Sequence, residues 1–518
     1  QGLRLTRRVL QQPAARFALL FLLLLAARVP FYFTHHIQED AYISLRCAEN
    51  LAQSGVYGFN PGERVSASTS HLYVFLAALV RLAAGDRAFI PILQLLNGLL
   101  FLLGTWFTSR ALFTDERQVL WLWGLLSILP QSLLASYSGM ETSLLVFIIG
   151  WLLYQVSRGR DHWLMMAALA ILPWVRPDAI AYALLILFWD CVKRKRVLWA
   201  GLTAVVIGVS SLLIFNSLYF GTLLQQSINA KLLMRHPFTI SRFADNLFTV
   251  FVGNAGGAFS PYRAEIFGRA GILFGLLVLL AMGLYLGQVW SDRAPRITGL
   301  ALASITWLVP VAYAFGGVLY QWYTWPPAIF GSVFLLALIV EWSTGTGKWR
   351  QVVRWGCVLL MLAGLNAQMV FSYVWGTKEF AYRGGIGVWL KEHAQAGDKM
   401  LLEPAGYIPY YSGLYTYDEV GLVSPQVVNY RLAYEERWWP EFVMDYRPDW
   451  LVQREHIKHD KTYQGYTLNG EELEWLRDNY RLVAWFSYQP EDYTSSHFLA
   501  SLLSLAEADD YYIFKRIE

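Results

Sequence analysis

The residue type and position best suited to general-base chemistry in this sequence belong to Asp40. It closes the run His35-His36-Ile37-Gln38-Glu39-Asp40 and stands directly before Ala41 to Ala52. That stretch reads as an amphipathic helix lying in the membrane interface, with Tyr42, Leu45, Ala48 and Ala52 on one side. A carboxylate held at a helix start can take a proton from an attacking hydroxyl. Asp is also among the best N-caps, so the cap alone would account for it. Glu39 supplies a second carboxylate. His36, Glu39 and Asp40 together form a set that a divalent cation, Mg or Mn, could use, although adjacent histidines before a helix are more commonly just interfacial.

Five further polar groups fall at or near the ends of other apolar segments. Glu141 lies in Gly139-Met140-Glu141-Thr142, Arg176 and Asp178 flank Pro177, and Asn229 and Lys231 flank Ala230. Lys231 can grip a phosphate as a point charge, and Arg176 can stabilise the same charge. The plainer explanations are a local Arg176–Asp178 pair, a Glu141 that favours a helix dipole, and a solvated Lys231. Tyr320, Gln321, Trp322, Tyr323 and Trp325 cluster at one turn, where an aromatic belt is expected in any case and sugar stacking is the alternative. Tyr407 and the Tyr410-Tyr411 pair are placed to overhang the same region.

The elements that must position these groups are mostly membrane spans. Of the 518 residues, 56% are hydrophobic and only 15% charged, which is too apolar for an ordinary soluble enzyme. A net charge of +4 from 42 basic and 38 acidic side chains gives no electrostatic case for nucleic acid. Stretches able to cross roughly 30 Å of hydrocarbon, or nearly so, recur near 17–34, 89–109, 119–138, 143–157, 163–175, 179–192, 197–220, 271–290, 297–318, 325–342 and 355–375. The first is too long for a cleaved signal peptide and is read as a retained span. Leu72 to Ala84, which contains Arg81, is expected to lie along the surface. With about eleven spans, the loops bearing Arg110 and Arg117, Arg158 and Arg160, Lys193 to Arg196, Arg293 and Arg296, and Lys348 to Arg354 share one side. The positive-inside rule makes that side cytoplasmic, together with the N-terminus. Loops 35–88 and 221–270 and everything after Trp375 then face outward.

Residues 1–375 therefore read as a transmembrane domain and 376–518 as a soluble α/β domain outside the membrane. Helix is expected over Gly385 to Ala394, and strands near Met400 to Glu403, Trp450 to Gln453, Leu482 to Tyr488 and Tyr511 to Lys515. Cys47, Cys191 and Cys357 have no metal-ligand spacing, and Cys47 is too far from the other two to bridge them.

Taken in order, Glu39-Asp40-Ala41-Tyr42-Ile43, Phe59-Asn60-Pro61-Gly62-Glu63-Arg64, Gly139-Met140-Glu141-Thr142, Arg176-Pro177-Asp178 and Gly406-Tyr407-Ile408-Pro409-Tyr410-Tyr411-Ser412-Gly413 resemble a branch of the GT-C glycosyltransferases. The resemblance runs over most of the chain. It is nearest to bacterial arabinofuranosyltransferases that use decaprenyl-phosphate-linked arabinose in mycobacterial cell-wall synthesis and pilin glycosylation. It implies a polytopic α-helical membrane protein of the GT-C type with a C-terminal soluble α/β domain, set in a bacterial plasma membrane with that domain in the periplasm. It further implies a catalytic carboxylate at Asp40 with Glu39 beside it, and a donor-phosphate contact at Lys231. This chain departs from the pattern at Ser70-His71, where Asn-Pro or Ser-Pro is usual, and at Glu39-Asp40, where Asp-Asp is commoner. The expected reaction is an inverting displacement that moves a sugar, arabinofuranose first, from a polyprenyl phosphate to a glycan or protein acceptor. Glu141, Asp178, Asn229, Tyr320, Gln321, Tyr407 and Tyr410 would surround the substrates. The rival reading is a transporter or flippase of a lipid-linked saccharide, but the sequence lacks the clear repeats and midplane charges such proteins tend to carry.

Overall fold

The computed structural model describes residues 12–160, 162–234, 237–256, 264–317, 320–455, 462–463 and 466–517. In chain order the principal helices are α1 (Pro13–Ala26), α2 (Ala41–Ser54), α3 (His71–Leu112), α4 (Glu116–Ser127), α5 (Pro130–Tyr137), α6 (Thr142–Arg158), α7 (Trp163–Val175), α8 (Ala179–Arg194) and α9 (Trp199–Phe215). They continue as α10 (Gln226–Leu233), α11 (Ile240–Gly256), α12 (Ala264–Gln288), α13 (Arg293–Gly316), α14 (Gln321–Ser343), α15 (Lys348–Gly376), α16 (Gly385–His393) and α17 (Tyr407–Ser412). Every one of the apolar stretches singled out in the sequence is largely helical. Among the described residues, six helices are long and apolar enough to cross a membrane, and a seventh is added if the bent pair α4–α5 is one span. Helices α6 and α7 are apolar but shorter.

One expectation about these helices needs correcting. Residues 119–138 do not form one straight helix: α4 and α5 meet at 70°, because Pro130 cannot continue the preceding hydrogen-bond ladder. Buried Arg28 meets the carbonyl freed at this break, donating to Ser127 O at 2.8 Å, to Leu24 O at 2.7 Å and to Ser136 Oγ at 3.1 Å. Leu72 to Ala84 forms the helix expected there: it is the first part of α3, set off from the rest by non-helical backbone at Gly85 (φ 70°, ψ 179°), with Tyr73, Val74, Ala77, Ala78 and Arg81 buried and Leu79 and Leu82 exposed.

The chain forms two compact units. The first comprises the described residues of 1–33, 90–212 and 235–370. Its helices approach closely where α3 meets α6: a Cβ on Gly104 would come within 2.7 Å of the Phe147 backbone. Small residues at such crossings are how apolar helices gain contact without a hydrophobic drive between them.

The second unit comprises the described residues of 34–89, 213–234 and 371–518. Its centre is a sheet of β1 (Lys399–Leu402), β2 (Tyr415–Asp418), β3 (Trp450–Gln453), β4 (Tyr480–Phe486) and β5 (Tyr511–Arg516), in the order β2-β1-β3-β5-β4. Strand β1 runs parallel to β2 and β3, while β5 is antiparallel to β3 and β4. Side chains alternate across a strand, so Leu401 joins one buried cluster with Trp439, Phe442 and Leu451, while Met400 and Leu402 join another with Leu390, Trp450 and Val452. Burial on both faces explains why β1 and β3 read as continuous apolar runs. Helix α16 and four of the five strands lie where the sequence placed them. Strand β2 was missed, because Tyr-Thr-Tyr-Asp carries little apolar signal.

Candidate functional site

Asp40 lies in the second unit at the N-cap position of α2, but it does not cap. Its backbone is already helical (φ −64°, ψ −20°) and its carboxylate accepts no bond from the helix start. The cap explanation therefore fails on geometry, since a capping residue needs an extended backbone to turn its side chain onto the next amides. Burial raises the Asp40 pKa, and the positive charge of Lys231 pulls it back. Two residues far apart in the sequence are thus brought into electrostatic range. Helix α2 is not a one-sided interfacial helix: Ala41 through Ala48 are buried all round, including Arg46. That guanidinium donates to Phe59 O at 2.9 Å, Leu414 O at 2.6 Å and Pro409 O, fixing the start of α2 on three segments of its unit.

Lys231 is carried by α10, whose N-terminal end is held by Gln226. The Gln226 amide N–H donates to Ser66 Oγ at 2.9 Å, and its side chain donates to Gly421 O at 2.9 Å. Next to it, buried His71 bonds Tyr57 Oη at 2.7 Å and Asn216 Oδ1 at 2.8 Å. The Ser70-His71 departure is therefore filled by a well-partnered imidazole that shapes this loop. Asn229 sits half-buried on α10.

Glu39 faces a different set of groups from its neighbour. Its Oε1 accepts the Tyr407 N–H at 3.1 Å, and its Oε2 lies 3.6 Å from Arg383. Arg383 also pairs with Glu379 at 2.9 Å. Burial pushes the Glu39 pKa up against the pull of Arg383. Gly406 is required here, since a Cβ would run into the Glu39 carboxylate. Tyr407 does not overhang anything. It is fully buried, its hydroxyl accepts the Ile37 N–H at 3.0 Å, and the same hydroxyl lies 2.8 Å from Ile37 O. Tyr410 donates to Glu49 at 2.6 Å, and Tyr42 and Tyr411 share a hydroxyl contact at 3.1 Å. Both tyrosines of the pair belong to α17 rather than to a loop, which turns them onto α2. His36, Glu39 and Asp40 do not converge on a point: among the described residues no group of three or more His, Cys, Asp or Glu could hold a metal ion.

The remaining expected residues lie in the first unit and form their own cluster. Arg176, buried at the end of α7, makes a two-pronged contact with Asp178, Nε to Oδ1 at 3.0 Å and Nη2 to Oδ2 at 2.9 Å. Glu141 approaches it at 3.5 Å, and the guanidinium lies 4.8 Å from the Tyr323 ring centre. Tyr313 donates to Asp178 as well. Burial alone would raise the Asp178 pKa, but Arg176 holds it below the usual carboxylate value. Like Asp40, both Glu141 and Asp178 occupy N-cap positions in helical geometry without capping. Tyr320 stacks on Trp322 at 4.8 Å. The Gln321 side chain, and residues 235–236 and 257–263 of the long 221–270 loop, lie outside the described residues.

Sequence reasoning missed Arg383, Glu379, Arg46 and Tyr313. Only the first two left a trace, as a Glu–Arg pair four residues apart just past the last apolar stretch.

The whole chain is similar to solved membrane proteins. A structure of ArnT from Cupriavidus metallidurans in the apo state matches over 97% of this chain and 98% of that one, with 12% identity and a TM-score of 0.56. The same protein bound to undecaprenyl phosphate matches over the same shares with a TM-score of 0.52. The fold is GT-C. An apo oligosaccharyltransferase from Archaeoglobus fulgidus also matches, over 84% of this chain and 69% of that one, with 12% identity and a TM-score of 0.50. No curated protein sequence matches. Residues 373–512, which include β1 to β4 and the start of β5, match the model of a domain of unknown function, DUF8728.

Proposed function

We propose that this protein is an inverting glycosyltransferase that moves a sugar from a polyprenyl phosphate to a hydroxyl-bearing acceptor at the outer face of a bacterial plasma membrane. The observation that carries the reading is Asp40: a half-buried carboxylate at a helix start that does no capping, with the Lys231 charge acting on it. The GT-C fold, shared with a protein whose structure holds undecaprenyl phosphate, supports the choice of donor. In the reaction Asp40 accepts the proton of the acceptor hydroxyl as its oxygen bonds to the anomeric carbon. The bond from that carbon to the phosphate oxygen breaks, and the electron pair leaves with the polyprenyl phosphate. Lys231 matches the developing phosphate charge. Arg176, already matched by Asp178 and Glu141, serves to fix those two carboxylates. Glu39 positions the segment around Tyr407. Arabinofuranose is the sugar to test first, on the strength of the sequence resemblance, and the acceptor is a cell-envelope glycan or a protein.

The test is transfer of radiolabelled sugar from a synthetic polyprenyl-phosphate donor by the purified full-length protein. Asp40→Asn should reduce turnover by about a hundredfold or more while donor binding persists. Full turnover in that variant would overturn the assignment of the base. Full-length protein inactive with every pentose and hexose donor would overturn the glycosyltransferase reading itself.

A further inference from the structure

A cleft lies at the other ends of α6 and α13 from the Glu141–Arg176–Asp178–Tyr313 group. Helix α6 has 17 residues, so it separates the two places by about 25 Å at 1.5 Å per residue. The cleft, about 220 Å³, is lined by Arg110, Thr114, Gln118, Ser157, Arg158 and Asp292, among others. That is smaller than the ~300 Å³ lower end of clefts that enclose drug-sized ligands, and it suits a compact charged group.

Its charges are arranged for an anion. Arg110 lies 5.8 Å from the Trp106 ring centre and Arg158 lies 5.4 Å from that of Tyr154. The rings steady the guanidiniums without neutralising them. Among the described residues neither arginine has a carboxylate within ion-pair distance. Nearby Arg194, by contrast, is matched by Asp190 at 2.9 Å. The Lys193 ammonium sits at the end of α6 as well, donating to Ser157 O at 2.9 Å and to Val156 O. Among the described residues Asp292 is the one acid lining the cleft, and its carboxylate is occupied as the N-cap of α13, accepting from the Ala294 N–H at 3.3 Å.

The surroundings say what kind of anion. Trp163, Trp199 and Trp290 are strongly exposed (74%, 72% and 59%), and each stands at this same end of the unit, where α7 and α9 begin and just ahead of α13. Exposed tryptophans ranked in this way mark the depth of lipid headgroups. Basic clefts between helix ends at that depth are where acidic headgroups bind.

We propose that this cleft binds the phosphate of an anionic membrane phospholipid, with the Arg110 and Arg158 guanidiniums donating to its oxygens. The inference does not rest on the glycosyltransferase reading.

The test is native mass spectrometry of the full-length protein in neutral detergent, titrated with phosphatidylglycerol, with phosphatidylcholine, or with inorganic phosphate. Wild type should retain phosphatidylglycerol, and Arg110→Gln/Arg158→Gln should bind it about tenfold or more weakly. Asp292→Asn removes a lining carboxylate yet keeps a good N-cap, so it should bind more tightly. It reads the same site if the double variant does not fold. Equal retention by wild type and the double variant, or equal binding of phosphatidylcholine, would overturn the proposal in favour of ordinary annular lipid. Displacement of phosphatidylglycerol by millimolar inorganic phosphate would overturn it in favour of a soluble-anion site.

Discussion

The Lys231 charge acting on Asp40 fixes how the proposed reaction should respond to pH. The base works only when ionised. Burial raises its pKa above that of an ordinary aspartate, and the Lys231 charge opposes that rise. Turnover should therefore fall as the solution is acidified through this raised value. Replacing Lys231 by Met removes the opposing charge, so the Asp40 pKa rises further and the acid limb of the kcat profile should move to higher pH. Measuring kcat at saturating donor separates this from the weaker donor binding that the same change brings. A limb that stays in place would mean that Lys231 serves the phosphate alone. At this scale the sequence leaves Asp40 a choice between cap and base and Lys231 a choice between phosphate and solvent, and the structure removes only the cap. The sequence was uninformative for Tyr407 and Tyr410, because nothing in a run of tyrosines tells whether their hydroxyls meet a ligand or, as here, a neighbouring backbone carbonyl or Glu49.

Elements built by alternation or by long apolar runs were legible, since period and length follow directly from pleat geometry and hydrocarbon thickness. Elements that depend on a distant partner were not. Strand β2 exists because β1 accepts it in parallel register, Leu401 opposite Tyr417, and no local pattern announces that. The end of β2 also carries the element-scale prediction. Asp418 and Glu419 are buried there, at 0% and 1% exposure, and burial raises each pKa to about 7. A carboxyl whose folded pKa lies above its unfolded value of roughly 4.3 keeps its proton preferentially in the native state. Stability contributed by that proton is present in acid and is lost as pH rises through the window from about 4.3 to about 7. Glu419 Oε1 accepts from both Trp439 at 3.0 Å and Gln453 at 2.9 Å, while Oε2 is buried without a hydrogen-bond donor. Glu419→Gln keeps both acceptor bonds and removes the titration. It should leave the melting temperature at pH 5 nearly unchanged and raise it at pH 8, by an amount corresponding to about 1–3 kcal/mol. Equal pH slopes in wild type and variant would show that Glu419 does not contribute to the linkage. A second packing test lies at the start of α17. Gly406→Ala would drive a methyl group into Glu39 and should cost about 1–3 kcal/mol of stability, measurable as a lower melting temperature of the whole protein.

For the whole molecule, the strongest constraint is the distribution of basic residues, because it orders every loop with a single choice of side. Loops with Arg110, Arg158, Lys193 to Arg196 and Arg293 fall on one face of the expected topology, and the sheet-bearing region after Trp375 on the other. The six long apolar helices, with shorter ones such as α6 and α7 between them, leave the span count open to tilting and to bent pairs like α4–α5. One added or lost span would invert everything downstream. Orientation is therefore the prediction with the widest reach. With Cys47, Cys191 and Cys357 replaced, a single cysteine at exposed Ser495 should react with a membrane-impermeant maleimide in intact cells. One at exposed Lys195 should react only after the membrane is opened. The reverse pattern would put the Asp40–Lys231 region on the cytoplasmic side, where nucleotide-activated sugars are available, and would remove the reason for a polyprenyl-phosphate donor. Labelling of both in intact cells would mean an even number of crossings between residues 195 and 495, against the odd number that the charge pattern demands.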